Sequence, residues 1–337
     1  MVNLSRFIRA IGPLGFYAAA RGLTRRHPRI LMYHRFSAEP RRGFVSRETL
    51  ARQLEMIRRH FRPVSLSTLI ETLRAGETPA PNTIVVTVDD GYRDFHDVAW
   101  PVLREYDVPA TLFVTTGFVD DALWLWPDQV AWLLAGTEPL PDTLSAGDIH
   151  LRRDQFGHWN RNTAWQALIN HLLALPDAEK HAAVESLAAS LDAALPASAP
   201  ADYAAVTWDQ LRAMQAEGLD VGGHTHTHPT LPRVPVENLP AEIDYCRERL
   251  DAGLGMRPRP FCYPNGQPSD FSQVVRDRVE QAGFTGAVVA FADGATHNDL
   301  YALRRHASAE GEFQYYKALN GVEWLGRRLR RTVAATA

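Results

Sequence analysis

The 337-residue chain predicts an α/β fold: an irregular parallel (β/α) barrel carrying a mainly helical insertion. Three observations predict it. Short apolar, β-branched runs alternate with helix-length segments, the pattern of strands and crossover helices around a parallel sheet. The alternation stops between about residues 118 and 203 and then resumes, so a single barrel is interrupted. Three clusters of chemically active residues each follow a predicted strand directly, as happens when C-terminal strand ends share one face of a barrel.

The elements follow in order. Residues 29–33 read as the first strand, ending in Tyr33-His34-Arg35. Residues 47–60 have helical spacing through Leu50, Leu54 and Ile57, and 66–73 read as a short helix with Ser65 as its N-cap. The β-branched run 83–88 is a strand buried on both faces. A helix over 94–106 and a buried strand over 110–115 follow. The insertion is rich in Ala, Leu and Trp and shows no clear strand. It has helical spacing over 164–175 and 178–191, then a Pro/Ala/Ser-rich linker at 195–201. Beyond it come a helix from 207 to 217, a strand at 219–221, a histidine loop and a helix over 237–250. A strand at 259–263, a helix over 269–282, a strand at 285–289 and a short strand at 301–304 complete the barrel. The organisation expected is a basic segment 1–28, a discontinuous barrel of 29–117 and 204–310, an insertion acting as a lid over 118–203, and a helical tail over 311–337.

Composition narrows the function. With 45% hydrophobic and 22% charged residues the chain is globular, and a net charge of -3 argues against a basic nucleic-acid-binding surface. Two cysteines, Cys246 and Cys262, cannot build a disulfide framework and point to a reducing compartment. No apolar run reaches membrane-spanning length. The basic start is broken by Gly12, Pro13 and Gly15, and no secretory signal is recognised in it. The expectation is a cytoplasmic protein, or one peripheral at the cytoplasmic membrane. The basic start and the basic segment 324–331 read either as helices docked on the domain or as amphipathic contacts with an anionic membrane surface.

The strongest chemical signal is Gly222-Gly223-His224-Thr225-His226-Thr227-His228-Pro229. Imidazole is the commonest metal ligand, and three within five residues are hard to explain as packing. Upstream, Asp89-Asp90-Gly91 places two adjacent carboxylates at a strand end. Asp-Gly alone would read as a turn. With the histidines, the set reads as a metal-dependent hydrolytic site: oxygen and nitrogen ligands for a divalent ion, plus one spare carboxylate to act as a base.

These motifs resemble, in the same order, those of the polysaccharide deacetylase family, also called the NodB-homology family. Thr87-Val88-Asp89-Asp90-Gly91 is similar to its T-F-D-D-G, and His224 to Pro229 to its H-[ST]-x-[ST]-H-P. Phe261-Cys262-Tyr263-Pro264-Asn265-Gly266 is similar to F-x-Y-P-x-G, and Leu303-Arg304-Arg305-His306 to L-x-x-H. The resemblance covers roughly residues 29–117 and 205–307. It implies a NodB-type barrel that removes an acetyl group from an N-acetylated carbohydrate. The metal would be held by Asp90, His224 and His228; zinc suits that donor set, with cobalt, nickel or manganese as substitutes. Asp89 would be the general base, the Tyr263 N–H the oxyanion donor, and His306 the general acid, imidazole titrating close to neutral pH. Tyr92 and Pro264 would line the substrate site. Trp124 and Trp126, opening the insertion, either stack on a sugar or anchor the insertion's own core. His226 falls at the motif's variable position. Some members carry an arginine that orients the base where this chain has Cys262, so Arg93 or Arg305 would have to serve. The partner of His306 is not recognisable in 290–301.

Overall fold

The structure, a computed structural model, describes residues 15–154, 157–293, 297–308 and 311–336. Most of the basic start, 1–14, lies outside them. A helix α1 (Phe16–Leu23) leads to β1 (Arg29–Tyr33), a two-residue pair β2 (Phe36–Ser37) and β3 (Val45–Ser46), and helix α2 (Arg47–His60). Next come β4 (Arg62–Pro63), α3 (Leu66–Arg74) and β5 (Thr83–Val88). The helix expected over 94–106 forms in two parts, a π-helical turn Phe95–Ala99 and then α4 (Trp100–Glu105), with Pro101 in the first turn of the second part. β6 (Ala110–Val114) and a short α5 (Thr116–Val119) end the first half.

The insertion contains α6 (Trp126–Gly136), β7 (Thr143–Ala146), β8 (Ile149–Arg152), α7 (Arg161–Leu172) and α8 (Asp177–Ser190). The antiparallel β7–β8 hairpin corrects the expectation that no strand lies here. Its signal was the turn pair Gly147-Asp148, with Gly147 at φ 62, between two short alternating runs. The second half comprises α9 (Trp208–Ala216), β9 (Asp220–Gly223), α10 (Leu239–Leu254), β10 (Phe261–Cys262), α11 (Gln273–Gln281) and β11 (Ala287–Val289). It ends with β12 (Leu303–Arg304), β13 (His306–Ala307), α12 (Glu312–Leu319) and α13 (Val322–Thr336).

The principal sheet is parallel and runs β12-β11-β10-β9-β6-β5-β1-β13, with β4 beside the start of β5. One stretch of chain closes it. Leu303 and Arg304 pair with β11, and His306 and Ala307 pair with β1, so Leu303–Ala307 joins both ends of the sheet with Arg305 at the seam. Alternation sorts the side chains into two cores. Ile30, Val85, Phe113, Cys262, Val288 and Leu303 fill the barrel interior. Leu31, Val86, Leu112, Phe261 and Val289 face the helix layer. Leu66, Leu69 and Ile70 of α3 plug one end. That end is the N-terminal one, because α3 bonds Thr111 and Asp220, within the first two residues of β6 and β9. The C-terminal strand ends are therefore left open for chemistry.

The insertion packs around a core of its own, including Val130, Leu133, Leu168, Leu172 and Leu187. The first described helix and the loop after it pack on the last two: Tyr17 stacks on Tyr316, Arg21 bonds Asn320, and Trp324 stacks on His27. Among the described residues no helix is long and apolar enough to cross a membrane.

Candidate active site

The two aspartates diverge because the backbone turns between them. Asp89 continues β5, its N–H donating to the Tyr33 carbonyl at 3.0 Å, and its carboxylate enters the barrel. Asp90 has φ 76, a left-handed conformation uncommon for a residue other than glycine, which swings its carboxylate out of the strand.

His224 follows β9 after two glycines whose missing side chains matter. A Cβ on Gly222 would lie 2.5 Å from the Pro260 carbonyl, and one on Gly223 would lie 2.8 Å from Phe284. Only glycine lets β9 pass this close. The loop then coils tightly: Thr225 and His228 take φ 66 and 64, and the Thr225 hydroxyl accepts from the His228 N–H at 3.0 Å. Non-glycine residues held here cost roughly 1–3 kcal/mol each, a strain characteristic of functional sites. The coil turns His224 and His228 to the same point, their rings 4.8 Å apart at 73°. Their Nε2 atoms lie 3.3 and 3.4 Å from the same Asp90 oxygen, Oδ1. His226 faces away, bonding Thr116 through Nδ1 at 3.0 Å and meeting the Tyr245 ring edge-on.

Asp90, His224 and His228 each offer one ligand atom, all within 4.8 Å of one another. They fit a divalent cation in a further respect. His224 Nδ1 donates to the Cys262 carbonyl at 2.8 Å, which fixes the ring with Nε2 turned to Asp90. Burial would raise the Asp90 pKa, but hydrogen bonds from His224 and His228 outweigh it and hold the carboxyl well below its ordinary range. The trio thus offers one carboxylate oxygen and two imidazole nitrogens, a donor set that a divalent cation fits. A second trio, Asp89, His224 and Cys262, is equally compact. It is already occupied by fixed positive charge, because Arg305 Nη1 and Nη2 lie 2.6 and 2.7 Å from the two Asp89 oxygens and Nη2 lies 3.1 Å from Cys262 Sγ.

Arg305 is fully buried, and its Nη1 and Nε also bond the Thr87 hydroxyl and the Val289 carbonyl. Burial would raise the Asp89 pKa; the Arg305 charge and its two hydrogen bonds reverse this and lower it. His34, at the end of β1, places Nε2 3.7 Å from Asp89 Oδ2 with 45% of its side chain exposed.

These groups line one cavity of about 420 Å³. The barrel contributes Asp89, Asp90, His34, Tyr92, His224, His228, Tyr263 and Arg305, and the insertion adds Trp126, Pro127, Asp128, Trp165, Ile169 and Leu173. Tyr92 donates to Asp128 Oδ2 at 2.7 Å, and the Arg35 guanidinium stacks on the Tyr92 ring at 3.9 Å. Burial pushes the Asp128 carboxyl up to about 7, aided by the charges of Asp90 and Asp94 against the pull of Tyr92 and Arg35.

The sequence profile of the polysaccharide deacetylase family matches residues 76–147 and 177–287, more than half of the chain. The chain belongs to the polysaccharide deacetylase family. It is 25% identical over 126 residues to the poly-β-1,6-N-acetyl-D-glucosamine N-deacetylase of Escherichia coli (strain K12), a match covering 37% of this chain and only 16% of that protein. In fold it is similar to the Streptococcus pyogenes deacetylase PplD, solved in complex with acetate (TM-score 0.55, 18% identity, 83% of this chain and 92% of that one). It is similar also to IcaB from Ammonifex degensii (TM-score 0.54, 19% identity, 87% and 97%). These likenesses establish a NodB-type barrel.

Within this deacetylase-family barrel, Asp89, Asp90, His224, His228, Tyr92, Tyr263 and Trp126 line the cavity as a group. The Tyr263 N–H makes a long 3.4 Å contact with the Val288 carbonyl, and its hydroxyl bonds Tyr301 on the outer side of the barrel. Pro264 does not line the cavity, although Tyr263 and Asn265 on either side of it do. Trp124 does not reach it either. It packs with Tyr92, Phe118 and Leu125 and meets Trp132 and Tyr203, the anchoring role. His306 requires a correction. Alternation along the closing strand sends Arg305 inward and His306 out to the helix layer, where Nδ1 pairs with Glu323 Oε2 at 2.8 Å, and it is absent from the cavity lining. Arg93 is exposed and Arg305 holds Asp89. Residues missed from sequence are His34, whose signal was its place after the first strand, and Asp128 and Trp165, which no motif marked.

Proposed function

We propose that this protein is a metal-dependent hydrolase that removes the N-acetyl group from an amino sugar of a polysaccharide, oligosaccharide or lipid-linked glycan. The observation that carries the reading is the joint placement, in one cavity, of a three-residue cation site and a separate carboxylate held by a buried arginine. The activity printed for the E. coli relative supports the acyl group and the class of sugar.

Asp90, His224 and His228 would hold the cation, for which zinc suits the donor set. Such an ion supplies Lewis acidity, making a water acidic enough to attack near neutral pH and polarising the acyl carbonyl. Asp89 is not needed as a ligand and is kept ionised by Arg305, so it takes the proton from the attacking water. The Tyr263 N–H, held only by its long contact with Val288, is the backbone donor available to the developing oxyanion. His34, beside Asp89 and open to the cavity, replaces His306 as the group that protonates the departing amine. The insertion's Trp126, Trp165, Ile169 and Leu173 give the cavity an apolar wall suited to a sugar ring face.

The test is acetate release from N-acetylhexosamine substrates, short and lipid-linked, with and without a chelator, measuring formate in parallel. Acetate release that stops with chelator and returns with zinc is the expected result. Formate alone, or chelator-insensitive release, would overturn the reading.

A further inference from the structure

The acids around the cavity are not equally satisfied. Both Asp89 oxygens are taken by Arg305. Asp90 faces His224 and His228. Asp94 holds the Arg35 Nε at 2.7 Å and lies outside the cavity lining. Asp128 is different. Its Oδ2 accepts from Tyr92, but among the described residues Oδ1 has only Arg35 Nη1, at 3.8 Å and outside hydrogen-bond reach. The side chain is 14% exposed, and the residue lines the cavity.

Asp128 Oδ1 is therefore an accessible acceptor with unused capacity on the cavity wall, where a ligand hydroxyl can take the place of solvent. Its surroundings say what ligand. The insertion delivers Asp128 from the first turn of α6, directly after Trp126 and Pro127, with Trp165 on the same wall. Apolar and aromatic surface carrying one fixed acceptor is the composition that recognises a sugar: ring face on the wall, hydroxyl on the acceptor. Tyr92 fixes the carboxyl rotamer from the barrel side, so the acceptor is held in place before a ligand arrives.

We propose that Asp128 Oδ1 accepts a hydrogen bond from one ring hydroxyl of the amino sugar, making the insertion, through this residue, the determinant of which sugar the cavity takes. The inference deepens the functional reading above and rests on it for the class of ligand. It assigns Asp128 to recognition and gives it no part in bond cleavage.

The experiment uses the full chain and methyl N-acetyl-β-D-glucosaminide with its 3-deoxy, 4-deoxy and 6-deoxy derivatives. Affinity is read by calorimetry and turnover by acetate release. At pH 8.5, above the raised Asp128 value of about 7, the carboxyl is charged; a hydrogen bond to a charged group is worth about 1.5–3 kcal/mol, so one deoxy derivative should bind roughly 10- to 150-fold more weakly than the parent. Asp128→Ala should weaken the parent by a similar factor and leave that one derivative unchanged. Asp128→Asn, which retains an acceptor for Tyr92, controls for folding and should fall between. If the wild type binds all four glycosides alike, or none, or if Asp128→Ala weakens every derivative equally, the assignment is wrong. Loss of acetate release with a selective affinity pattern intact would overturn the hydrolase reading and leave the Asp128 assignment standing.

Discussion

Arg305 grips both oxygens of Asp89, at 2.6 and 2.7 Å, from the residue at which the last strand closes the barrel. The proposed base is therefore positioned by the seam of the fold. A planar guanidinium can make two parallel bonds to a carboxylate, whereas an ammonium cannot.

Arg305→Lys should consequently keep the charge and lose the geometry. The Asp89 carboxyl lies below its ordinary range, so its basic form is present above that lowered pKa and is lost as pH falls through it. Without the bidentate partner, burial reasserts itself and the pKa rises. The acid limb of the pH–rate profile should move to higher pH, with kcat down by about 10- to 100-fold at neutral pH from the misplaced base. An unmoved acid limb would show that Arg305 does not tune Asp89. Arg305→Met, which strands a buried carboxylate, should cost about 3–5 kcal/mol of stability.

Metal content and turnover should separate cleanly. Asp89→Asn should retain bound zinc, measured by mass spectrometry of the purified protein, while turnover falls by roughly 10²–10⁴, the usual contribution of a general base. Asp90→Asn and His228→Ala should lose the metal and the activity together. Metal loss in Asp89→Asn would mean that the two carboxylates exchange roles.

His34 and His306 make a direct comparison. His34→Gln should lower kcat by about 10²-fold or more if it protonates the leaving nitrogen. His306→Gln should leave kcat nearly intact, because this side chain points to α13. The opposite ranking would restore the assignment made from the last motif.

The His306 partner contributes stability. Burial would raise the Glu323 pKa, but the bond and charge of His306 and then Arg327 lower it from 4.5 to about 2. A depressed carboxyl stabilises above its unfolded pKa and loses that stabilisation as pH falls toward the folded value. The shift corresponds to about 3 kcal/mol at about 1.4 kcal/mol per pH unit, reduced to roughly 1–2 kcal/mol by its partial exposure. Glu323→Gln should therefore lower stability by that amount at pH 7. The difference from wild type should vanish between about pH 4.5 and 2 in urea titrations. A pH-independent difference would mean that packing, rather than the ion pair, joins α13 to the barrel.

Trp165→Ala tests the insertion's wall. Stacking a sugar face that covers about 50 Å² gives about 1 kcal/mol at 25 cal/mol per Å². KM should rise roughly 5- to 10-fold with kcat little changed, the signature of lost uniform binding. A fall in kcat alone would instead place Trp165 in alignment of the reacting groups.

The sequence by itself determined the barrel, its interruption and the residues of the proposed cation site. Strand burial is written as β-branched runs such as Thr83–Val88, and Asp90, His224 and His228 sit in local motifs whose spacing fixes their chemistry. The hairpin β7–β8 went unread, although Gly147-Asp148 marks its turn. Tertiary structure alone decided the rest. Whether Arg305 or His306 faces Asp89 depends on which way the pleat of a five-residue closing strand falls, and a shift of one residue exchanges the two. Asp128 and Trp165 reach the cavity only because α6 and α7 fold back over the strand ends, a placement set by the insertion's own core packing. Local motifs record chemistry that neighbouring residues perform together. Long-range packing decides which distant side chains join them, and no short-range signal in the chain encodes that.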